Sequence, residues 1–221
     1  MLARPRPVCA SRQRTISGCR VWRETLRRSG LGGWGGASFL ALAVAVIAVA
    51  ALGEAPRLAL RWDRAALAAG QVWRLLSGHV VHLDLQHAVL NVVGLLLIWM
   101  LFAGAFSRAQ WLAIVVAGVA AVDLGLWLVN VELQWYVGAS GVLHAAMAAS
   151  IVRRIIERDA IAWVLGVLGI AKLMQEHFVG ALPFTASGAL IVTDAHLYGA
   201  LAGMICGVVL RPGECKVTTA R

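Results

Sequence analysis

Residues 82–106 read HLDLQHAVLNVVGLLLIWMLFAGAF. From Ala88 onward only Asn91 interrupts the apolar run, and no charge follows until Arg108. About 20 apolar residues let a helix cross the hydrocarbon core of a bilayer. Backbone in that medium must satisfy its own hydrogen bonds, which a helix does within a single segment. The stretch therefore predicts a membrane-spanning helix over 86–106, with His82, His87 and Asn91 at its polar opening.

Five further apolar runs lie on either side of it, at 34–52, 111–129, 138–156, 160–175 and 195–210. The fourth span opens at Gly138 or Ala139. The expected fold is all-α, a bundle of six transmembrane helices with a first loop, 53–85, lying in the membrane interface. That loop carries Trp62 and the pair Trp73-Arg74. Three parts follow: a basic cytoplasmic tail over 1–33, a six-span domain over 34–210, and a cytoplasmic tail over 211–221. No internal repeat is visible.

Composition points the same way. The chain is 60% hydrophobic and 14% charged, with a mean hydropathy of +0.78. That is too little charge to cover the surface of a soluble domain of 221 residues. Nine tryptophans against two tyrosines suit a chain with many positions at the membrane interface. Trp99, Trp111, Trp127 and Trp163 read as lipid-facing or packing residues.

The net charge of +9 is uneven, since residues 1–28 hold eight arginines against Glu24 alone, leaving +2 for the rest. The tail has no aromatic interleaving beyond Trp22, which argues against nucleic-acid binding. Basic residues in front of an apolar run act instead as a cytoplasmic retention signal. Arg108, the group Arg153, Arg154 and Arg158, and the end with Arg211, Lys216 and Arg221 mark the same side. Residues 130–137 and 176–193 contain no Lys or Arg. Both termini are therefore expected in the cytoplasm; the first loop, with Arg57, Arg61, Arg64 and Arg74, is the one exception. The first span reads as an uncleaved signal-anchor rather than a removed signal peptide. Cys9, Cys19, Cys206 and Cys215 show neither CxxC nor metal-ligand spacing and receive no function.

Ionisable groups in membrane spans are costly and mark functional candidates. They cluster at three helix openings: His82, His87 and Asn91; Gly138-Ala139-Ser140-Gly141 with His144; and Asp194-Ala195-His196 with Gly199. With the orientation set by charge, all three openings share the non-cytoplasmic leaflet. Ser140 in the first turn of a helix has free backbone N–H groups beside it that can stabilise an oxyanion. Gly138 and Gly141 allow close approach of a substrate backbone. His196 suits a general base, which a serine hydroxyl needs to become a nucleophile. Gly199, Gly203 and Gly207 form a stripe that lets this helix press against a neighbour. His87 and Asn91, four apart, share a helical face and can donate to an oxyanion. His144 shares a face with Ser140, where it can pack over His196 or bond to it. Asp123 reads as a structural hydrogen-bonding group. Asp194 can orient His196 only if residues 192–195 are still loop.

At these residues the sequence resembles the rhomboid family of intramembrane serine proteases. The hallmarks are GxSG opening the fourth span, AHxxG opening the sixth and HxxxxHxxxN leading into the second, and all three are present in order. The resemblance covers most of residues 34–210. It implies Ser140 as nucleophile and His196 as base, a dyad without a catalytic acid. His87 and Asn91 would build the oxyanion hole with the Ser140 amide, and His82 would tie the first loop to the bundle. His144 stands where relatives stack an aromatic ring on the catalytic histidine. The string from Tyr136 to His144, with Asp194 to Tyr198, is most similar to the rhombosortase branch, largely confined to Gram-negative bacteria. That similarity implies a multi-pass protein of the bacterial inner membrane. Its substrates would be membrane-anchored proteins with a C-terminal Gly-Gly sorting tail, cleaved near the periplasmic face. It implies no cofactor and no nucleic-acid partner. One departure is that many rhomboids brace the first loop with a glutamate late in the second span, where residues 101–106 are wholly apolar here.

Two other readings accompany this one. An inactive rhomboid relative would bind and escort transmembrane clients, although such relatives typically lose Ser or His. A metal or haem site could use His82, His87, His144 and His196, but no HExxH and no carboxylate at ligand spacing supports it.

Overall fold

The computed structural model of the chain describes residues 34–180 and 192–210. The basic tail with Cys9 and Cys19, the segment 181–191, and the C-terminal tail with Cys215 lie outside the described residues.

Helix α1 (Trp34–Ala51) bends by 113° into α2 (Glu54–Leu60). Gly53 makes the bend with φ +81, a backbone state that glycine alone adopts without strain. Strand β1 (Trp62–Asp63) and two short helices, α3 (Arg64–Ala68) and α4 (Arg74–Ser77), complete the first loop. Then come α5 (Leu85–Phe102), α6 (Arg108–Leu128), β2 (Trp135–Tyr136), α7 (Ser140–Ile156), α8 (Ala160–Phe178) and α9 (Asp194–Val209).

Helix starts follow their caps. Asp84 accepts the His87 amide proton at 2.8 Å and begins α5. Ser107 and Gln110 form a reciprocal capping box, so α6 begins at Arg108 rather than Trp111. Asp159 caps α8 through the Ile161 amide. Helices α5 and α6 are each long and apolar enough to cross a membrane, and the bent α1–α2 pair adds up to a third such span. Helix α9 is apolar but shorter. α7 carries Arg153 and Arg154 in its last turn, and α8 carries Lys172 and Glu176.

The closest helix pair is α7 with α9. A Cβ added at Gly199, Gly203 or Gly207 would run into the carbonyl oxygen of Gly141, Ala145 or Ala149 respectively. Glycines spaced by four on one helix thus face backbone carbonyls spaced by four on the other, and the two backbones touch. Ile98, Phe102, Ile114 and Ile151 fill the core at one end of the bundle. Trp62, Val122, Leu126 and Tyr136 fill it at the other.

The first loop is tied into the helical bundle. Trp73 is exposed, but Trp62 is wholly buried, because β1 pairs antiparallel with β2 through Trp62↔Tyr136 and Asp63↔Trp135. Its arginines tie it down. Arg64 donates to the carbonyls of Leu126 (2.6 Å), Trp127 (3.2 Å), Asn130 (3.1 Å) and Leu133 (3.0 Å). Leu126 and Trp127 are in the last turn of α6, whose carbonyls lack helical partners at the negative end of its dipole, and Asn130 and Leu133 lie in the loop that follows. The same guanidinium lies over the rings of Trp62 and Trp127. Arg57 donates to Leu83 O, and Arg74 to the carbonyls of Leu58 and Arg61. Below them His79 Nε2 meets Asp123 Oδ1 of α6 at 3.2 Å, both side chains buried. The His79–Asp123 pair and Arg64 thus brace the loop, where the resemblance had implied a late glutamate that is absent here. The four arginines that break the positive-inside pattern are occupied in holding this loop.

Candidate active site

Ser140 is the first residue of α7, and the approach to it is fixed by glycine. Gly138 has φ +122, and a Cβ there would sit 2.8 Å from His87 Cε1. No side chain fits between the two. Its amide donates to Gly78 O at 2.9 Å and its carbonyl accepts the Tyr136 hydroxyl at 2.7 Å. The first loop and the strand pair thereby set the height of Ser140. His196 enters from the first turn of α9, and the glycine seam holds that turn against α7. Ser140 Oγ and His196 Nε2 are 2.8 Å apart.

The contacts continue beyond this pair. His196 Nδ1 lies 2.8 Å from Glu176 Oε2 on α8, a carboxylate only 3% exposed. Glu176 Oε1 accepts from Lys172 Nζ at 2.6 Å, and the same ammonium lies 3.1 Å from His144 Nε2. His144 Nδ1 is 2.7 Å from the carbonyl oxygen of Ser140. The His144 ring stacks on that of His196, centroids 4.2 Å apart and planes 15° from parallel. A histidine here fills the stacking position that the resemblance gave to an aromatic ring.

His87 and Asn91 are buried on α5 and line the same cavity as Ser140. Asn91 Nδ2 donates to His87 O at 3.0 Å, which leaves its second N–H for a ligand. His87 Nδ1 is 3.5 Å from the Leu83 amide, so Nε2 is the nitrogen that can donate toward the site. His82 sits outside the cluster, buried, with its ring edge-on to His87 at 5.1 Å. Burial, and then the neighbouring His87, push its pKa down to about 4.

Two cavities meet at Ser140 and His87. One of about 550 Å³ runs between α5, α7 and α8, walled by residues such as Leu97, Leu101, Met147 and Leu168. The other, of about 280 Å³, lies toward β2 and includes Glu132 and Gln134.

Several expectations change. Beside the expected Ser140–His196 pair stands Glu176, which sequence reasoning missed by ending the fifth span at residue 175, three residues short of the helix end at Phe178. The signal is the pair Lys172 and Glu176, spaced i, i+4 where the apolar run ends. Asp194 is the first residue of α9, and its carboxylate accepts from Asn130 Nδ2 at 2.7 Å, away from His196. Asn130 in turn accepts from the Tyr198 hydroxyl. The four histidines of the alternative metal reading do not come together among the described residues. Among the described residues His144, Glu176 and His196 come together with ligand atoms within 4.8 Å of one another. Lys172 Nζ already binds two of those three, so a divalent ion would have to displace an ammonium.

Apolar helices packed around a half-buried serine, three histidines and an acid–base pair define a helical membrane protein with a polar site between its helices. The family model described as Rhomboid domain matches residues 69–213, more than half of the chain, and the chain belongs to the rhomboid family. That family comprises intramembrane proteases acting on transmembrane substrates, together with inactive relatives. Comparison with curated proteins returns no match.

Proposed function

We propose that this protein is an intramembrane serine endopeptidase with Ser140 as nucleophile and His196 as general base. The contact of 2.8 Å between Ser140 Oγ and His196 Nε2 carries the reading. As Oγ attacks the scissile carbonyl, its proton passes to Nε2 and the carbonyl π electrons move onto oxygen. The Ser140 amide, His87 Nε2 and the second N–H of Asn91 supply donors for that oxyanion. Collapse of the intermediate breaks the C–N bond, and His196 returns its proton to the leaving amine. Water, deprotonated by His196, then releases the acyl group from Ser140.

The two cavities fit this sequence. The larger is apolar and accepts a substrate helix from the bilayer, while the smaller offers water a path from the loop side. Helical backbone is closed to attack because its carbonyls are already bonded. A cut site must therefore unwind, which small residues permit. A Gly-Gly tail followed by a transmembrane helix and a basic end has this character, and we assign such rhombosortase-type substrates to the protein. In this reading residues 34–210 form six spans with both termini cytoplasmic in a bacterial inner membrane. The openings of α5, α7 and α9 then lie at the periplasmic face.

The test is co-expression with a reporter bearing a Gly-Gly tail, a transmembrane helix and a basic end. The wild type releases the reporter, and Ser140→Ala, present at the same level in the membrane, does not. Release by Ser140→Ala would sink the proposal.

A further inference from the structure

Ser140 and four side chains around it form a closed loop of hydrogen bonds, and the direction of every link follows from chemistry. A serine that loses its proton to Nε2 requires that nitrogen unprotonated, so His196 carries its proton on Nδ1 and donates it to Glu176 Oε2. The other oxygen of Glu176 accepts from Lys172. An ammonium only donates, so His144 Nε2 is an acceptor and its Nδ1 bears the proton given to the Ser140 carbonyl. Ser140 Oγ, His196, Glu176, Lys172, His144 and the Ser140 carbonyl are thus joined with one donor and one acceptor at each step.

We propose that Glu176 is a positioning residue for hydrolysis: it locks His196 in the tautomer that leaves Nε2 free for Ser140, and Lys172 and His144 hold it there. The inference rests on the serine protease reading and adds a third member to its dyad. An ordinary i, i+4 ion pair on a membrane helix would let the lysine extend toward water. Here Lys172 turns inward onto His144 and lines the same cavity as Ser140, and Glu176 gives its second oxygen to the base. Carboxylate and ammonium together leave the resting site neutral, which suits a buried location. When His196 takes the serine proton, the new imidazolium lies beside a carboxylate already oriented toward it.

Glu176→Gln is the discriminating change, because an amide cannot accept from both neighbours. It must present its NH2 either to Lys172 or to Nδ1–H of His196, and the second choice forces His196 into the wrong tautomer. In a serine protease of unrelated fold the matching acid-to-amide change costs roughly 10⁴ in kcat by that route. The experiment measures kcat and KM on a reporter substrate for wild type, Ser140→Ala, Glu176→Gln, Glu176→Asp and Lys172→Met in detergent micelles. The expected result is a fall in kcat on the order of 10²–10⁴-fold for Glu176→Gln, with KM nearly unchanged. Glu176→Asp regains at least about tenfold of it, and Lys172→Met lies between. If Glu176→Gln fails to fold, Lys172→Met carries the test. A kcat within about twofold of wild type in either folded variant overturns the role of Glu176. Turnover by Ser140→Ala instead overturns the protease reading beneath it.

Discussion

Gly199 of α9 rests directly on the carbonyl oxygen of Gly141 in the first turn of α7. The contact lies one residue from Ser140 and three from His196, so it sets the separation of hydroxyl and imidazole. Gly199→Ala would drive a methyl group into backbone, which cannot swing aside as a side chain can. The expected cost is about 1–3 kcal/mol of stability, with reporter cleavage reduced at least about tenfold. Gly104→Ala, whose added methyl meets nothing within 4 Å, is the control. Thermal unfolding and cleavage measured together check this.

The pair His79–Asp123 joins the first loop to α6. Asp123→Ala leaves a buried imidazole without its partner, at a cost of about 1–3 kcal/mol. The loop should then open locally, exposing Arg57, Arg61, Arg64 and Arg74 to trypsin. Faster cutting within residues 57–74, read by mass spectrometry, is the expected outcome. An unchanged cutting rate would show that Arg64 and the strand pair hold the loop alone.

His82 gives the fold a pH dependence. Burial holds its folded pKa at about 4, below the 6.5 of an unperturbed imidazole, so between these values the unfolded chain binds the extra proton. Its contribution is complete above about pH 6.5 and is lost as the pH falls toward 4, up to about 3 kcal/mol in all. His82→Gln should flatten the loss of stability between pH 6.5 and 4 in denaturation experiments. An equal slope in both proteins contradicts this.

Lys172 binds two of the three groups, His144, Glu176 and His196, whose ligand atoms lie close enough together to hold a metal ion. Treatment with a chelator should leave the cleavage rate unchanged, and added zinc should inhibit only by competing with that ammonium. Loss of activity on chelation, restored by zinc, would revive the metal reading.

The helices and their polar openings were legible because both signals are local. Apolar length marks a span, and the GxSG, AHxxG and HxxxxHxxxN patterns each lie within ten residues. What escaped was pairing across the chain. Asp123 was visible as a buried acid, but His79, 44 residues away, was not readable as its partner. The strand pair has only two residues on each side, too short for alternation to appear. Glu176 lies one residue past the expected end of the fifth span, on the last turn of the helix that ends at Phe178. Only the fold, by bringing α8 against α7 and α9, turns that end into part of the site.

The most direct measurement of the central claim is the rate at which a fluorophosphonate labels Ser140, with the modified residue located by mass spectrometry. Labelling at Ser140 in the wild type, slowed at least about 10²-fold in His196→Ala and abolished in Ser140→Ala, is the expected result. Equal labelling in His196→Ala, or none on folded wild-type protein, would contradict a serine activated by that histidine.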